Sequence, residues 1–433
     1  MNSPLKIAVA GLGTVGTGTV KLLQTNADLI AARCGRPVRV VAVADKIKDR
    51  DRGISLGGIT WYDDAIAMVT ESDADVVVEL IGGADGIAKR TVDAALARKR
   101  HVVTANKAML AHHGNALAQA AEAAGVTLAY EAAVAGGIPI IKALREGLAG
   151  NRIHRISGIL NGTCNYILST MRATGRDFGD VLREAQQLGY AEADPSFDID
   201  GIDAAHKLAI LASVAFGAQV DFKSVNVEGI RNVTATDIAY ADEFGYRIKL
   251  LGIAECSDGA LSLRVSPCLI TPDMPLAAVD GVFNAVVAEG DFVGRSVYEG
   301  RGAGERPTAS AVVADLMDIA AGRRVPMYGV PVAMLRKFAI RPLDARVGSS
   351  YVRLTVVDKP GVFADIAAAF RDESLSMESI LQRGRNENAN VNVVIVTHES
   401  EDAALARALK RLQSNAAVVE PPHMMRIESL QNA

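Results

Sequence analysis

Residues 6–16 read KIAVAGLGTVG, a short apolar run leading straight into Gly11, Gly13 and Gly16. The G-x-G-x-x-G spacing restricts what the chain can fold into. Gly11 makes a tight turn, Gly13 lets the backbone approach a pyrophosphate, and Gly16 lets the next helix pack close. Thr14 and Val15 fall between the last two glycines, where the N-terminus of that helix faces the phosphates. Such a pattern alone arises often by chance. Here it follows the strand KIAVA near the N-terminus, and a second run, VRVVAVAD, ends at Asp45 before a polar, basic stretch. Together these indicate a Rossmann-type dinucleotide-binding domain.

The end of the second strand bears on which nicotinamide cofactor fits. An acidic residue there bonds ribose hydroxyls, whereas a cation holds a 2′-phosphate. Asp45 argues for NAD, while Lys46, Lys48, Arg50 and Arg52 offer cations for NADP. A charge-rich loop after a strand is also commonly just solvated, so the choice stays open.

Strand and helix keep alternating beyond the fingerprint. Helices are expected at about 16–31, 63–70, 87–97 and 114–124, between DVVVELIGG, HVVTANK and VTLAYEAAV. Near-continuous Val, Ile and Leu runs between amphipathic helices predict a parallel sheet buried on both faces, with a first domain over 1–132. Ligand contacts in such a fold come from loops at the carboxyl ends of strands. That singles out Gly82, Gly83, Thr104, Asn106, Lys107 and Glu131.

Lys107 leaves a strand near the expected nicotinamide, where an ammonium can meet a substrate carboxylate or the cofactor; a solvated loop lysine is the plainer reading. Glu131 opens EAAVAGGIPI, whose glycines and proline free backbone carbonyls. A carboxylate with free carbonyls suits a hard cation, though helix entry and strand termination account for the same residues.

The 433 residues allow two or three domains, and 49% hydrophobic content supports packed cores. Net charge is −4 with both signs interspersed, so no nucleic-acid or anionic-membrane footprint stands out. No apolar run reaches the ~18 residues of a membrane span. Cys34, Cys164, Cys256 and Cys268 lack metal-ligand spacing, and no apolar signal core precedes KIAVA, which points to the cytoplasm.

ISGILNGTCNYIL follows, where Asn161-Gly162 breaks an apolar strand and Thr163 and Asn165 stand ready to begin a helix. More chemistry sits in GYAEADPSFDIDGIDAAHK. Glu192, Asp194, Asp198, Asp200 and Asp203 fall within twelve residues, and Lys207 comes four after Asp203. On a surface, that spacing is a helix-stabilising pair worth a few tenths of a kcal/mol. Alternatively, carboxylates crowded at the start of an apolar helix call for a cation such as a substrate ammonium, and a lysine in a desolvated site is a suitable proton donor. His206 points about 100° away on a helix and reads as structural.

The motifs GLGTVG, TANKA, YEAAVAGGIPII, NGTCNYIL, YAEADPSFDIDGIDAAHK and GRGAGERPTAS occur in that order over the whole chain. With them the sequence resembles the homoserine dehydrogenases. The resemblance implies NAD(P)-dependent interconversion of L-homoserine and L-aspartate 4-semialdehyde in threonine, methionine and isoleucine biosynthesis. It implies Lys207 as proton donor, Asp203 as its neighbour orienting water or the substrate hydroxyl, Glu192 at the substrate amino group and Asp198 as a second acid. Lys107 would meet cofactor and substrate, and Gly302, with Glu305, would return the chain to the cofactor. Glu131, Val134, Gly136 and Ile138 match sodium-ligating positions, three of them through carbonyls. On this reading 133–325 is a catalytic and dimerisation domain, with about 303–325 completing the first domain. Many relatives carry a basic residue near Asp45, so Ala44-Asp45-Lys46 leaves NADP preference unsettled.

Residues 326–349 carry three prolines and read as a linker. Residues 350–433 run strand, helix, strand, strand, helix, with a last strand expected near NAAVVE, a ferredoxin-like order. With Asp358, Pro360 and Gly361 closing the first strand, this part resembles an ACT domain. It implies feedback control by an amino acid end product, threonine, and a homodimer or higher homo-oligomer; a folded appendage that only drives dimerisation is the alternative. Two other functions fit parts of the chain: a dehydrogenase for another amino acid or semialdehyde, and a non-enzymatic sensor, which would leave Asp203 and Lys207 without a role.

Overall fold

The computed structural model describes residues 3–383 and 390–429. Six parallel strands form the first sheet: β1 (Leu5–Ala10), β2 (Val38–Ala44), β3 (Thr60–Tyr62), β4 (Val76–Glu79), β5 (His101–Thr104) and β6 (Leu128–Ala129). Their order is β3-β2-β1-β4-β5-β6, the doubly wound Rossmann arrangement expected from the glycine fingerprint. Successive residues of β1 feed different cores. Ile7 and Val9 join Val76, Val78 and Val103 on one face, while Ala8 and Ala10 join Val77 and Val102 on the other. Burial on both faces explains why the strands read as unbroken apolar runs.

The chain comes back to this sheet much later. The helix Glu305–Ala320 sends Val312 and Leu316 into the core that holds Ile7 and Val9. It meets the helix Thr14–Thr25 at Gly18, where a Cβ would stand 2.6 Å from Glu305 Cγ.

The second sheet is mixed and eleven-stranded. Its main path runs Gly294–Arg301, Phe283–Gly290, Ile153–Ile159, Arg247–Ser257, Ala260–Ile270, His423–Glu428, Ser350–Val357, Asn390–Thr397 and Met377–Gln382. The last four of these strands, with the helices Val362–Asp372 and Asp402–Gln413, make the ferredoxin-like C-terminal unit around Leu354, Phe370, Ile395 and Leu405. That unit joins the central sheet directly, because Arg426–Glu428 pair in parallel with Cys268–Ile270.

Several elements lie away from their sequence-based positions. The helix expected over 16–31 is two, Thr14–Thr25 and Ala27–Cys34, parted at Asn26. The helix expected from 114 begins at Lys107, because the Asn106 side chain caps it by accepting from the Met109 N–H at 3.0 Å. Lys107 therefore stands on the first turn of a helix rather than in a loop. The last strand is His423–Glu428 instead of NAAVVE. It forms past Pro421 and Pro422, where it finds partners on both sides, Ser350–Arg353 and Cys268–Ile270. Residues 326–349 are bound down along their course: the Met327 carbonyl accepts from Tyr130 Oη at 2.8 Å, and Arg336 pairs with Gly217 and Gln219 through its backbone.

Candidate active site

The site is built on the helix Ile202–Phe216, whose residues from Asp203 to Val214 are all buried. An amphipathic surface helix would keep a polar face. Here the helix is enclosed, so its two charged residues need each other and a third partner. Lys207 Nζ donates to Asp203 Oδ2 at 2.7 Å and to the Leu160 carbonyl at 2.7 Å. Lys107 Nζ reaches Asp203 Oδ1 at 3.0 Å from the start of its own helix. One carboxylate thus bridges two ammonium groups from different domains.

Asn161 completes the cluster. It ends the strand Ile153–Ile159 region, caps the helix Gly162–Thr174 by accepting from the Cys164 N–H at 2.8 Å, and donates to Asp198 Oδ1 at 2.8 Å and Asp203 Oδ2 at 2.9 Å. Burial opposes ionisation of Asp203, but Lys207 and Lys107 outweigh it and hold the carboxyl well below the ordinary aspartate range. Burial and the charge of Asp203 push Asp198 up. Burial disfavours the charged form of Lys107, yet Asp203 wins and raises its pKa above the usual lysine value.

These groups line a cleft of about 460 Å³ together with Glu192, Tyr190, Thr163, Asn284 and residues Arg301–Gly304. Only three of the five clustered carboxylates belong to it. Asp200 turns to Arg231 and Asp194 accepts from Ser196, which relieves the crowding that the sequence implied. His206 lies outside the cleft, packed against Phe222 at 4.4 Å and His112 at 5.3 Å between ring centroids. Asn161 and Asn284 were not identified as site residues from the sequence. The cap signature before CNYIL was the available signal for Asn161; Asn284 had none.

A second cleft, about 320 Å³, opens at the carboxyl ends of β1 and β2 and is lined by Gly11, Gly13, Asp45, Lys46 and Ile81. Gly11 has φ +95°, and a Cβ there would stand 2.7 Å from the Leu80 carbonyl oxygen. A Cβ at Gly13 would project into open space on the cleft side, the room a pyrophosphate needs. No side chain caps the helix that starts at Thr14, so the N–H groups of Thr14, Val15 and Gly16 are left for phosphate oxygens. These features fit a dinucleotide.

Asp45 is occupied by the protein itself. Its Oδ2 accepts from the Leu12 N–H at 2.7 Å and its Oδ1 from the Ile47 N–H at 3.0 Å, with Arg52 at 3.2 Å. Arg52 also donates to the carbonyls of Leu12 and Arg50 and lies over the Trp61 ring. Of the four basic residues after the strand, Lys46 lines the cleft. Thr104 is fully buried and its hydroxyl donates to Glu79 Oε2 at 2.6 Å. A cofactor contact at Thr104 would therefore be made by its backbone. Glu79, unmarked in the sequence, also accepts from the N–H groups of Ile81 and Gly82 and so shapes the crevice.

Glu131 is buried beside Asp315, and burial followed by the Asp315 charge pushes its carboxyl up to about 7. Its two oxygens accept from the Ile141 and Lys142 N–H groups, each at 2.8 Å. Val134, Gly136 and Ile138 follow in a buried loop in which Ala135 and Gly136 both take left-handed φ, 57° and 49°. The loop abuts Gly302, whose carbonyl a Cβ at Gly136 would strike.

With this geometry in place, comparison with known proteins gives a consistent result. A family model described as homoserine dehydrogenase matches residues 139–317, one described as homoserine dehydrogenase, NAD binding domain, matches 11–131, and one for the ACT domain matches 350–414. The chain is 46% identical over 433 residues to a homoserine dehydrogenase of Neisseria gonorrhoeae and 45% over 434 residues to one of Pseudomonas aeruginosa, covering 99% of each chain in both cases. A crystal structure of a homoserine dehydrogenase from Thiobacillus denitrificans superposes with a TM-score of 0.93 at 45% identity, covering 99% of both chains.

Proposed function

The chain belongs to the homoserine dehydrogenase family, NAD(P)-dependent oxidoreductases, and from that premise we propose that L-homoserine and L-aspartate 4-semialdehyde are interconverted in the cleft between Lys107 and Lys207. A bound nicotinamide cofactor would give hydride to the aldehyde carbon, or take it from the hydroxyl-bearing carbon in the reverse direction. The residues of the chain do the rest. Lys207 has three N–H donors, of which Leu160 and Asp203 take two. The third is free to protonate the aldehyde oxygen, or the amine to take the hydroxyl proton in the reverse direction. Lys107, held protonated by Asp203, stabilises negative charge on that oxygen and meets the cofactor. Glu192 and Asp198 bind the substrate ammonium, and Asp203 keeps both lysines in place.

The bridging of Lys107 and Lys207 by Asp203 carries this reading. Initial rates of L-homoserine oxidation with NAD and with NADP test it. Turnover is expected, and folded protein with no turnover on either cofactor would overturn it.

Further parts of the reading are supported by single features. A sodium ion at Glu131, Val134, Gly136 and Ile138 would compensate the buried Glu131 and Asp315 charges and account for the two left-handed residues in the loop. Control by threonine at the C-terminal unit is supported by its match to the ACT domain, and ion pairs of Glu428 with Arg155 and Arg264, and of Arg353 with the buried Asp237, would couple that unit to the central sheet. A homodimer is supported by the edge strand Gly294–Arg301, which exposes Val297, and by the exposed Phe292 in the turn that precedes it. No helix among the described residues is long and apolar enough to cross a membrane. A cytoplasmic place in threonine, methionine and isoleucine biosynthesis accords with the four free cysteines.

A further inference from the structure

Asn284 is 1% exposed, and neither its Oδ1 nor its Nδ2 has a hydrogen-bond partner. A buried amide left in this state is costly, about as much as losing the hydrogen bonds it lacks. It lies in the wall of the catalytic cleft, one residue past the end of the pairing between Ile159 and Ala285. A Cβ at Gly302 would overlap the Asn284 amide. Gly302 lacks a side chain because that amide fills the space.

The position relative to the two clefts decides what the amide awaits. Adenosine-side residues Asp45 and Lys46 line the cleft near β1 and β2, so the nicotinamide half must extend past β4 and β5 toward Lys107. The segment Arg301–Gly304 runs the same way. It begins in the catalytic cleft and leads into Glu305, which packs on Gly18 of the phosphate-binding helix. Glu192, Asp198 and the two lysines already answer the ammonium and reacting oxygen of the substrate. An unpaired primary amide, offering one donor group and one acceptor together, is matched by another primary amide.

We infer that Asn284 docks the carboxamide of the nicotinamide ring, its Nδ2 donating to the carboxamide oxygen and its Oδ1 accepting from the carboxamide nitrogen. The ring is thereby turned so that one face meets the substrate held at Lys207. The inference rests on the cleft being the site of hydride transfer.

Three measurements on the full-length Asn284→Ala protein test it: unliganded Tm, cofactor Kd by fluorescence titration without substrate, and the Kd ratio between the cofactor and its 3-acetylpyridine analogue, which keeps the carbonyl but lacks the amide nitrogen. Unliganded Tm is expected to fall only by what the cavity left beside Gly302 costs, since no protein hydrogen bond is lost. Cofactor Kd is expected to weaken about five- to tenfold, and the preference over the analogue to vanish. Asn284→Ser should fall between the two. An unliganded Tm lowered beyond that, or a variant that does not fold, with cofactor Kd unchanged in Asn284→Ser, would show a structural amide and overturn the inference. So would a raised KM for homoserine with cofactor Kd unchanged. Homoserine turnover by the wild-type protein in the same series keeps the dehydrogenase reading separate from either outcome.

Discussion

Asp203 Oδ2 accepts from Lys207 Nζ at 2.7 Å, one turn further along the same enclosed helix, while its other oxygen takes Lys107 at 3.0 Å. A surface pair at this spacing would do little. Enclosed and shared, the carboxylate holds Lys107 protonated and aims both ammonium groups.

Lys207→Met keeps the length of the buried side chain and removes its proton. Turnover of homoserine is expected to fall by about 10²–10⁴-fold, with cofactor affinity unchanged. Steady-state rates combined with fluorescence titration of the cofactor check this, and a variant that loses cofactor affinity in proportion to rate would argue against it.

Asp203→Asn removes the charge that holds the Lys107 pKa up against burial. With only the Asp198 and Glu192 charges left to oppose burial, that pKa falls, so the basic limb of the kcat/KM profile is expected to move to lower pH. Profiles of the wild type and the variant across the alkaline range decide the matter. An unmoved limb would mean that Lys107 does not report there.

Lys46 lines the adenosine-side cleft, whereas the Arg52 guanidinium is used by the loop itself. Lys46→Ala is therefore expected to weaken NADP more than NAD. Arg52→Ala is expected to weaken both alike, through loss of the loop around Asp45. Kd values for the two cofactors in each variant make the comparison.

Burial, reinforced by His112, lowers the His206 pKa to about 4. Between the ordinary value near 6.5 and about 4, the unfolded chain binds a proton that the native protein does not, so stability falls as pH drops through that window. Neither ring nitrogen has a hydrogen-bond partner. His206→Leu is thus expected to leave Tm at neutral pH equal or higher and to flatten its decline between pH 6.5 and 4, measured by thermal melts in a pH series.

The parts legible in the sequence are those where local chemistry has one outcome. A glycine that must take φ +95° beside the Leu80 carbonyl is visible as Gly11, and β4 buried on both faces is visible as consecutive valines. Lys207 and Asp203 could be paired from their spacing alone, because a helix puts residues four apart on one face. Local preference failed where a tertiary partner made the choice. His423–Glu428 is a strand because two separate strands receive it, and Asp200 leaves the acidic cluster because Arg231 stands across from it.

By itself, then, the sequence determined the Rossmann fingerprint, the order of the three structural units and the residue types of the site, since each rests on contacts between neighbours along the chain. Only the tertiary structure brought Lys107 across to Asp203, spent Asp45 and Arg52 on their own loop, and left Asn284 unpaired in the cleft wall. Those outcomes depend on burial and on partners far away in the chain, which set the cost of every charge and every unmet hydrogen bond.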